Sequence, residues 1–160
     1  MENAARPATV EDLKRLIEHL TREGVDYLLV GGYALMALGY QRGTTDIDLL
    51  LPPDVETGKR IKRALLYLPD KAAQGLEPEW FAEGETIRIA DEYVIDLLFT
   101  ACAESYESLL PHAVTVDLDG VPIRTVDLEG LLKTKQSVRD MDKLDRLVIE
   151  RALAEFRRSD

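Results

Sequence analysis

Cysteine, histidine and long apolar runs are all scarce in this chain, and each scarcity removes a class of function. The one cysteine, Cys102, excludes an internal disulfide, and with two histidines beside it the chain is too poor in ligands for a Cys/His zinc site. This usage points to a reducing compartment. The longest apolar stretch, 27–40, is broken by Gly31, Gly32 and Gly39 and falls short of the roughly 20 residues that span a bilayer. The opening MENAARPATVEDLKRL carries Glu2, Glu11 and Asp12 and no apolar segment, so it does not read as a secretory signal, and a cytoplasmic protein is expected. Positive charge is short as well. Twenty Lys and Arg against 30 Asp and Glu leave a formal charge of -10, which argues against nonspecific adhesion to nucleic acid or to an anionic membrane.

What is present is ordinary in bulk: 160 residues, 46% of them hydrophobic, fit a single domain with one core. Thr9 with Asp12 three residues later resembles a capping box, and Val10, Leu13, Leu16, Ile17 and Leu20 then recur at helical spacing until Gly24. A short strand is expected at 26–30, the glycine turn Gly31-Gly32 after it, and a buried helix over 33–39. A second strand, DIDLLL at 46–51, closes at Pro52-Pro53. A helix over 54–68 turns Val55, Ile61, Leu65 and Leu68 inward, with Gly58 weakening it. Residues 69–84 read as loop with a turn of helix. Strands are expected at 85–90 and 93–99 about the link Asp91-Glu92, followed by a short helix around 104–110. A hairpin over 113–126 turns at Asp119-Gly120. The tail 127–158 reads as helical with a break near Ser137. Strands interleaved with helices predict an α/β or α+β fold, a mixed sheet covered by helices. The expected single domain has its core at about 9–126 and a C-terminal helical segment at about 127–158.

Two strands carry acids where apolar residues are expected. Asp46 and Asp48 lie two apart, so both project from one face of their strand, roughly 7 Å apart along the backbone. A lone D-x-D is often only a solvated strand face. Here Leu49, Leu50 and Leu51 follow, which reads as a strand buried on both faces, and buried carboxylates are costly unless paired or bound to metal. Asp96 in YVIDLLF repeats the anomaly and by parity points the same way as Val94 and Leu98. If the two strands are neighbours, the three carboxylates converge. They would then suffice for one or two Mg²⁺ ions, with substrate phosphates completing the octahedra.

The turn Gly31-Gly32 lies between strand and helix, where free backbone amides suit an anionic triphosphate. The pattern VGGYALMALGYQRGTTDIDLLL with VIDLLF resembles the nucleotidyltransferase superfamily of DNA polymerase β type, in particular its minimal bacterial and archaeal members, including the toxin-like AbiEii group. Residues 26–100 carry the likeness. The resemblance implies that Asp46 and Asp48 ligate both metals and the triphosphate. It gives Asp96 the catalytic metal and a place as, or near, the general base for the incoming hydroxyl. Many relatives have Ser where Gly32 stands, and Gly32 offers only its amide.

The same resemblance adds Arg42, in the run RGTTDIDL, as a contact to a phosphate or to one of the acids, with a solvated loop arginine as the alternative, and Thr44 as a contact to the loop backbone; Thr45 reads as an ordinary loop residue. In the tail it matches Lys135, Arg139, Asp142 and Asp145, with Lys133 as the alternative lysine. The lysine would face the nucleotide phosphates and Asp142 would orient it. The bland alternative is a solvated helix with ion pairs such as Asp142 with Arg146. His19 and His112 read as partly exposed or capping residues, Trp80 and Phe81 as a core aromatic pair, and Asp91 and Glu92 as turn residues.

The reaction expected is transfer of a nucleoside monophosphate from an NTP to a hydroxyl on a protein, a tRNA end or a small molecule, with release of pyrophosphate. Two readings compete. One is a non-catalytic nucleotidyltransferase-like protein that binds a partner in a toxin–antitoxin pair. The other is a D-x-D nucleotide-sugar glycosyltransferase, which would not call for Asp96.

Overall fold

The computed structural model describes residues 5–40, 45–136 and 140–158. Helix α1 (Val10–Arg22) starts where the sequence places it. The Thr9 hydroxyl accepts from the Asp12 amide, and the Asp12 carboxylate accepts from the Thr9 amide at 2.8 Å, closing the capping box. Arg6 donates to both oxygens of the same carboxylate, at 2.6 and 3.0 Å, and so ties the incoming chain to the first turn. Leu13, Leu16, Ile17 and Leu20 are fully buried, each worth about 1.5–3 kcal/mol against exposure.

Six strands form one mixed sheet in the order β3-β4-β2-β1-β6-β5. They are β1 (Leu28–Val30), β2 (Ile47–Leu50), β3 (Ile87–Ala90), β4 (Val94–Leu98), β5 (Ala113–Leu118) and β6 (Val121–Val126). β1 pairs antiparallel with β2, setting Val30 opposite Asp48. β2 pairs in parallel with β4, setting Asp48 opposite Asp96, and β3 pairs antiparallel with β4, setting Arg88 opposite Asp96. Ile47, Leu49, Leu50, Ile95 and Leu97 have no exposed surface, as expected for central strands covered on both faces. The hairpin β5–β6 turns at Asp119 and Gly120, both with positive φ (51° and 89°), the geometry a two-residue type I′ turn requires. Helices α1, α2 (Gly31–Ala37), α3 (Val55–Ala64), α4 (Trp80–Glu83), α5 (Tyr106–Leu109), α6 (Leu128–Lys133) and α7 (Asp140–Arg158) complete an α+β fold. Among the described residues, no helix is long and apolar enough to cross a membrane.

Several elements differ from their predicted bounds. The first strand is narrower than 26–30, and α2 begins at Gly31 itself, so the glycine pair forms the first residues of the helix. α3 ends at Ala64 and continues as a 3-10 turn, Leu65–Tyr67, with Val55 only half-buried. Gly58 is not a weak point. A Cβ there would stand 2.7 Å from the Pro78 carbonyl oxygen, so the glycine lets the segment before Phe81 lie against the helix. Residues 69–84 hold a 3-10 turn, Ala72–Gly75, and α4. This segment is pinned by Asp91, a buried carboxylate that accepts from the Asp70, Ala72 and Glu92 amides. In the tail, α6 stops at Lys133, while Ser137, the predicted break, lies outside the described residues.

Candidate active site

Asp48 in β2 and Asp96 in β4 owe their closeness to the parallel ladder, which sets their Cα atoms opposite each other, and Asp46 immediately precedes β2. Asp96 shares its face of β4 with half-buried Val94 and Leu98, as parity requires. Asp48 and Asp96 are direct cross-strand partners, so their carboxyl groups act on each other. Burial pushes the Asp48 carboxyl up to about 7, the neighbouring Asp96 and Asp46 charges add to the rise, and the positive charge of Lys135 opposes it. Two acids that the sequence shows as separate anomalies are thus one electrostatic unit.

The glycine turn is pressed against this unit. Gly31 is buried, with φ +74°, and a Cβ there would lie 2.3 Å from the Asp48 Oδ2 and 3.1 Å from its Cγ. Only glycine satisfies both the left-handed backbone and the close approach. Gly32 is buried beside it.

Lys135 is buried just beyond α6, whereas Lys133 is exposed, so the structure separates the two candidates. The Lys135 Nζ lies 2.9 Å from the Asp145 Oδ2 and 3.5 Å from the Asp142 Oδ1, and both acids are 1% exposed. The Arg146 guanidinium donates to the Lys135 carbonyl. Asp142 and Asp145 are thus not part of a solvated face: both are buried and fix the position of the lysine, while Glu150 and Glu155 on the same helix are exposed.

The remaining expectations divide. Arg42, Thr44 and Arg139 lie outside the described residues. Thr45, read as a plain loop residue, donates its hydroxyl to the Asp46 Oδ1 at 3.1 Å. His19 stacks on Tyr67 with ring centroids 3.9 Å apart, and His112 Nδ1 meets the capping carboxylate of Asp127 at 3.0 Å. The Trp80–Phe81 pair splits: Phe81 is buried edge-on against Phe99, while Trp80 is exposed. Glu92 pairs with Arg6.

One residue of the site escaped the sequence reading. Arg88 donates from Nε to the Asp96 Oδ1 at 2.9 Å and from a terminal nitrogen to the Asp96 Oδ2 at 3.2 Å. The same nitrogen reaches the Asp46 Oδ2 at 3.4 Å. The signal was a single cation in ETIRIA, on the opposite parity from Ile87 and Ile89.

Three carboxylates on adjoining positions are the donor chemistry of a hard divalent ion. A cationic group of the protein already bridges two of them. Among the described residues no three His, Cys, Asp or Glu side chains are grouped as a metal cluster as they stand. In chemical type the three carboxylates suit such an ion, and the Arg88 guanidinium now occupies oxygens of two of them.

No protein-family model matches the chain, and no curated protein matches it in sequence. The crystal structure of a Thermotoga maritima protein provisionally named a nucleotidyltransferase aligns with a TM-score of 0.56 at 15% identity, over 94% of this chain and 93% of that one. At that identity the likeness is one of fold. The mixed six-stranded sheet with its flanking helices is an α+β fold matching that of this nucleotidyltransferase-named neighbour.

Proposed function

We propose that this protein is a nucleotidyltransferase that moves a nucleoside monophosphate from an NTP to a hydroxyl acceptor. The observation that carries the reading is the register of Asp48 against Asp96, with Asp46 beside them and Gly31 packed on Asp48. Asp46, Asp48 and Asp96 would hold one or two Mg²⁺ ions, which when bound supply charge neutralisation and alignment of the triphosphate. Gly31 and Gly32, buried beside Asp48 and without side chains, would offer their backbone amides to the triphosphate. Lys135, fixed by Asp142 and Asp145, sets a positive charge within electrostatic reach of Asp48 and would offset phosphate charge. Arg42 keeps its proposed role at the phosphates, and Thr44 its proposed role in holding the loop that leads to Asp46. In the reaction the acceptor oxygen bonds to the α-phosphorus, the bond from that phosphorus to the β-phosphate oxygen breaks, and pyrophosphate leaves. The hydroxyl proton passes to the Asp96 carboxylate.

The acceptor class we favour is a protein or small-molecule hydroxyl, because a chain of charge -10 is poorly suited to the polyanion at a tRNA end. A toxin–antitoxin pairing is compatible with this activity, the transferase modifying its partner. Leu144, Leu147, Val148 and Phe156, all exposed on α7, favour a second reading in which the protein only binds another chain. One assay separates the two: the protein with Mg²⁺ and each labelled NTP in turn, against cell lysate fractionated into protein, RNA and small molecules. Label should move to one fraction, and Asp48→Asn should cut transfer by about a hundredfold or more, about 2.7 kcal/mol of barrier. No transfer and no nucleotide binding under any condition would leave the partner-binding reading.

A further inference from the structure

Resting on the nucleotidyltransferase reading, we infer that Arg88 is a positioning residue. In the metal-free chain it clasps Asp96 and Asp46 as a built-in counter-cation, and it yields them to a divalent ion. The clasp is a fork on Asp96, at 2.9 and 3.2 Å, with a third contact to Asp46 at 3.4 Å. Such a fork is the strongest arrangement arginine makes with a carboxylate, and it fixes the angle of Asp96 while the third contact draws Asp46 toward the same cation. The oxygen lone pairs that accept from the guanidinium are those a divalent ion would need, so the two cations compete for them.

Release is easy because of where Arg88 stands. β3 is the edge strand of the sheet, and the Arg88 side chain is 61% exposed against 13% for Asp96. The guanidinium can swing into solvent without disturbing the core, and parting a pair this exposed costs only a few degrees of unfolding midpoint. Lys135 does not substitute for it, being engaged by Asp142 and Asp145.

The test is Mn²⁺ binding to the full chain, read from the electron paramagnetic resonance signal of the free ion, together with thermal unfolding in EDTA. Arg88→Gln should bind Mn²⁺ several-fold more tightly than wild type while unfolding about 2–4 °C lower in EDTA. That drop should vanish in an Asp96→Asn background. Arg88→Lys, with a charge but no fork, should fall between the two. If wild type binds Mn²⁺ and Arg88→Gln binds it equally or more weakly, or if the EDTA midpoint does not move, the inference is overturned and the nucleotidyltransferase reading stands. If neither wild type nor Arg88→Gln binds Mn²⁺, both fall.

Discussion

Gly31 concentrates two demands in one position, a left-handed backbone (φ +74°) and a Cβ direction that ends 2.3 Å from the Asp48 Oδ2. Gly39 has the first demand without the second: its φ is +98° and nothing lies within 4 Å of an added Cβ. Alanine at either position should cost about 1–2 kcal/mol of backbone strain. Gly31→Ala should lose more than Gly39→Ala in urea denaturation, and it alone should weaken nucleotide binding, because Asp48 has to move. Asp12 gives a pH dependence. The Arg6 guanidinium, with help from the Thr9 amide and hydroxyl and against some burial, holds this carboxyl below its ordinary 3.8. On acidification the unfolded chain therefore takes up the proton first, so this stabilisation is present above the ordinary value and is lost as pH falls through the folded one. Urea midpoints followed from about pH 6 down to about pH 2 should fall less steeply for Asp12→Asn than for wild type.

Between elements, charge rather than apolar area marks how the last helix meets the rest. Asp142 and Asp145 stand on the buried side of α7, beside Ile149 and Ala152, and Lys135 after α6 balances them. Lys135→Met should destabilise by about 3–5 kcal/mol because it removes a buried cation that two buried carboxylates contact. Lys135→Met combined with Asp145→Asn should recover part of the loss, measured by urea unfolding. The spacing Lys135, Asp142, Asp145 was legible in the sequence, but its burial was not: Asp142 and Arg146 four apart read equally well as a surface pair. β3 shows the same limit. Strands at 85–90 and 93–99 about a two-residue link would set Arg88 opposite Ile95, whereas the actual connection, 91–93, sets it opposite Asp96. A slip of one residue reverses which face a side chain joins, and no local signal measures it. Gly58 reads as a helix weakener by propensity, yet the contact that requires glycine comes from Pro78, twenty residues away.

For the molecule as a whole, binding of Mg²⁺ to the folded chain alone should raise its stability, by about 2.7 kcal/mol at an ion concentration 100 times the dissociation constant. Scanning calorimetry with and without EDTA should show the gain in wild type and not in Asp48→Asn or Asp96→Asn. Periodicity and punctuation by themselves determined most of the architecture: the capped first helix, the Asp119-Gly120 hairpin, the apolar strands and the acids set within them. These are local properties, written in neighbours three, four or two residues apart, which the chain carries in any conformation. Which strands adjoin, and in what register, belongs to the tertiary structure, since it depends on how distant segments share one core. That pairing made Asp48 and Asp96 a unit, pressed Gly31 onto it, buried Lys135 with its two acids, and brought Arg88 across an edge strand to the carboxylates.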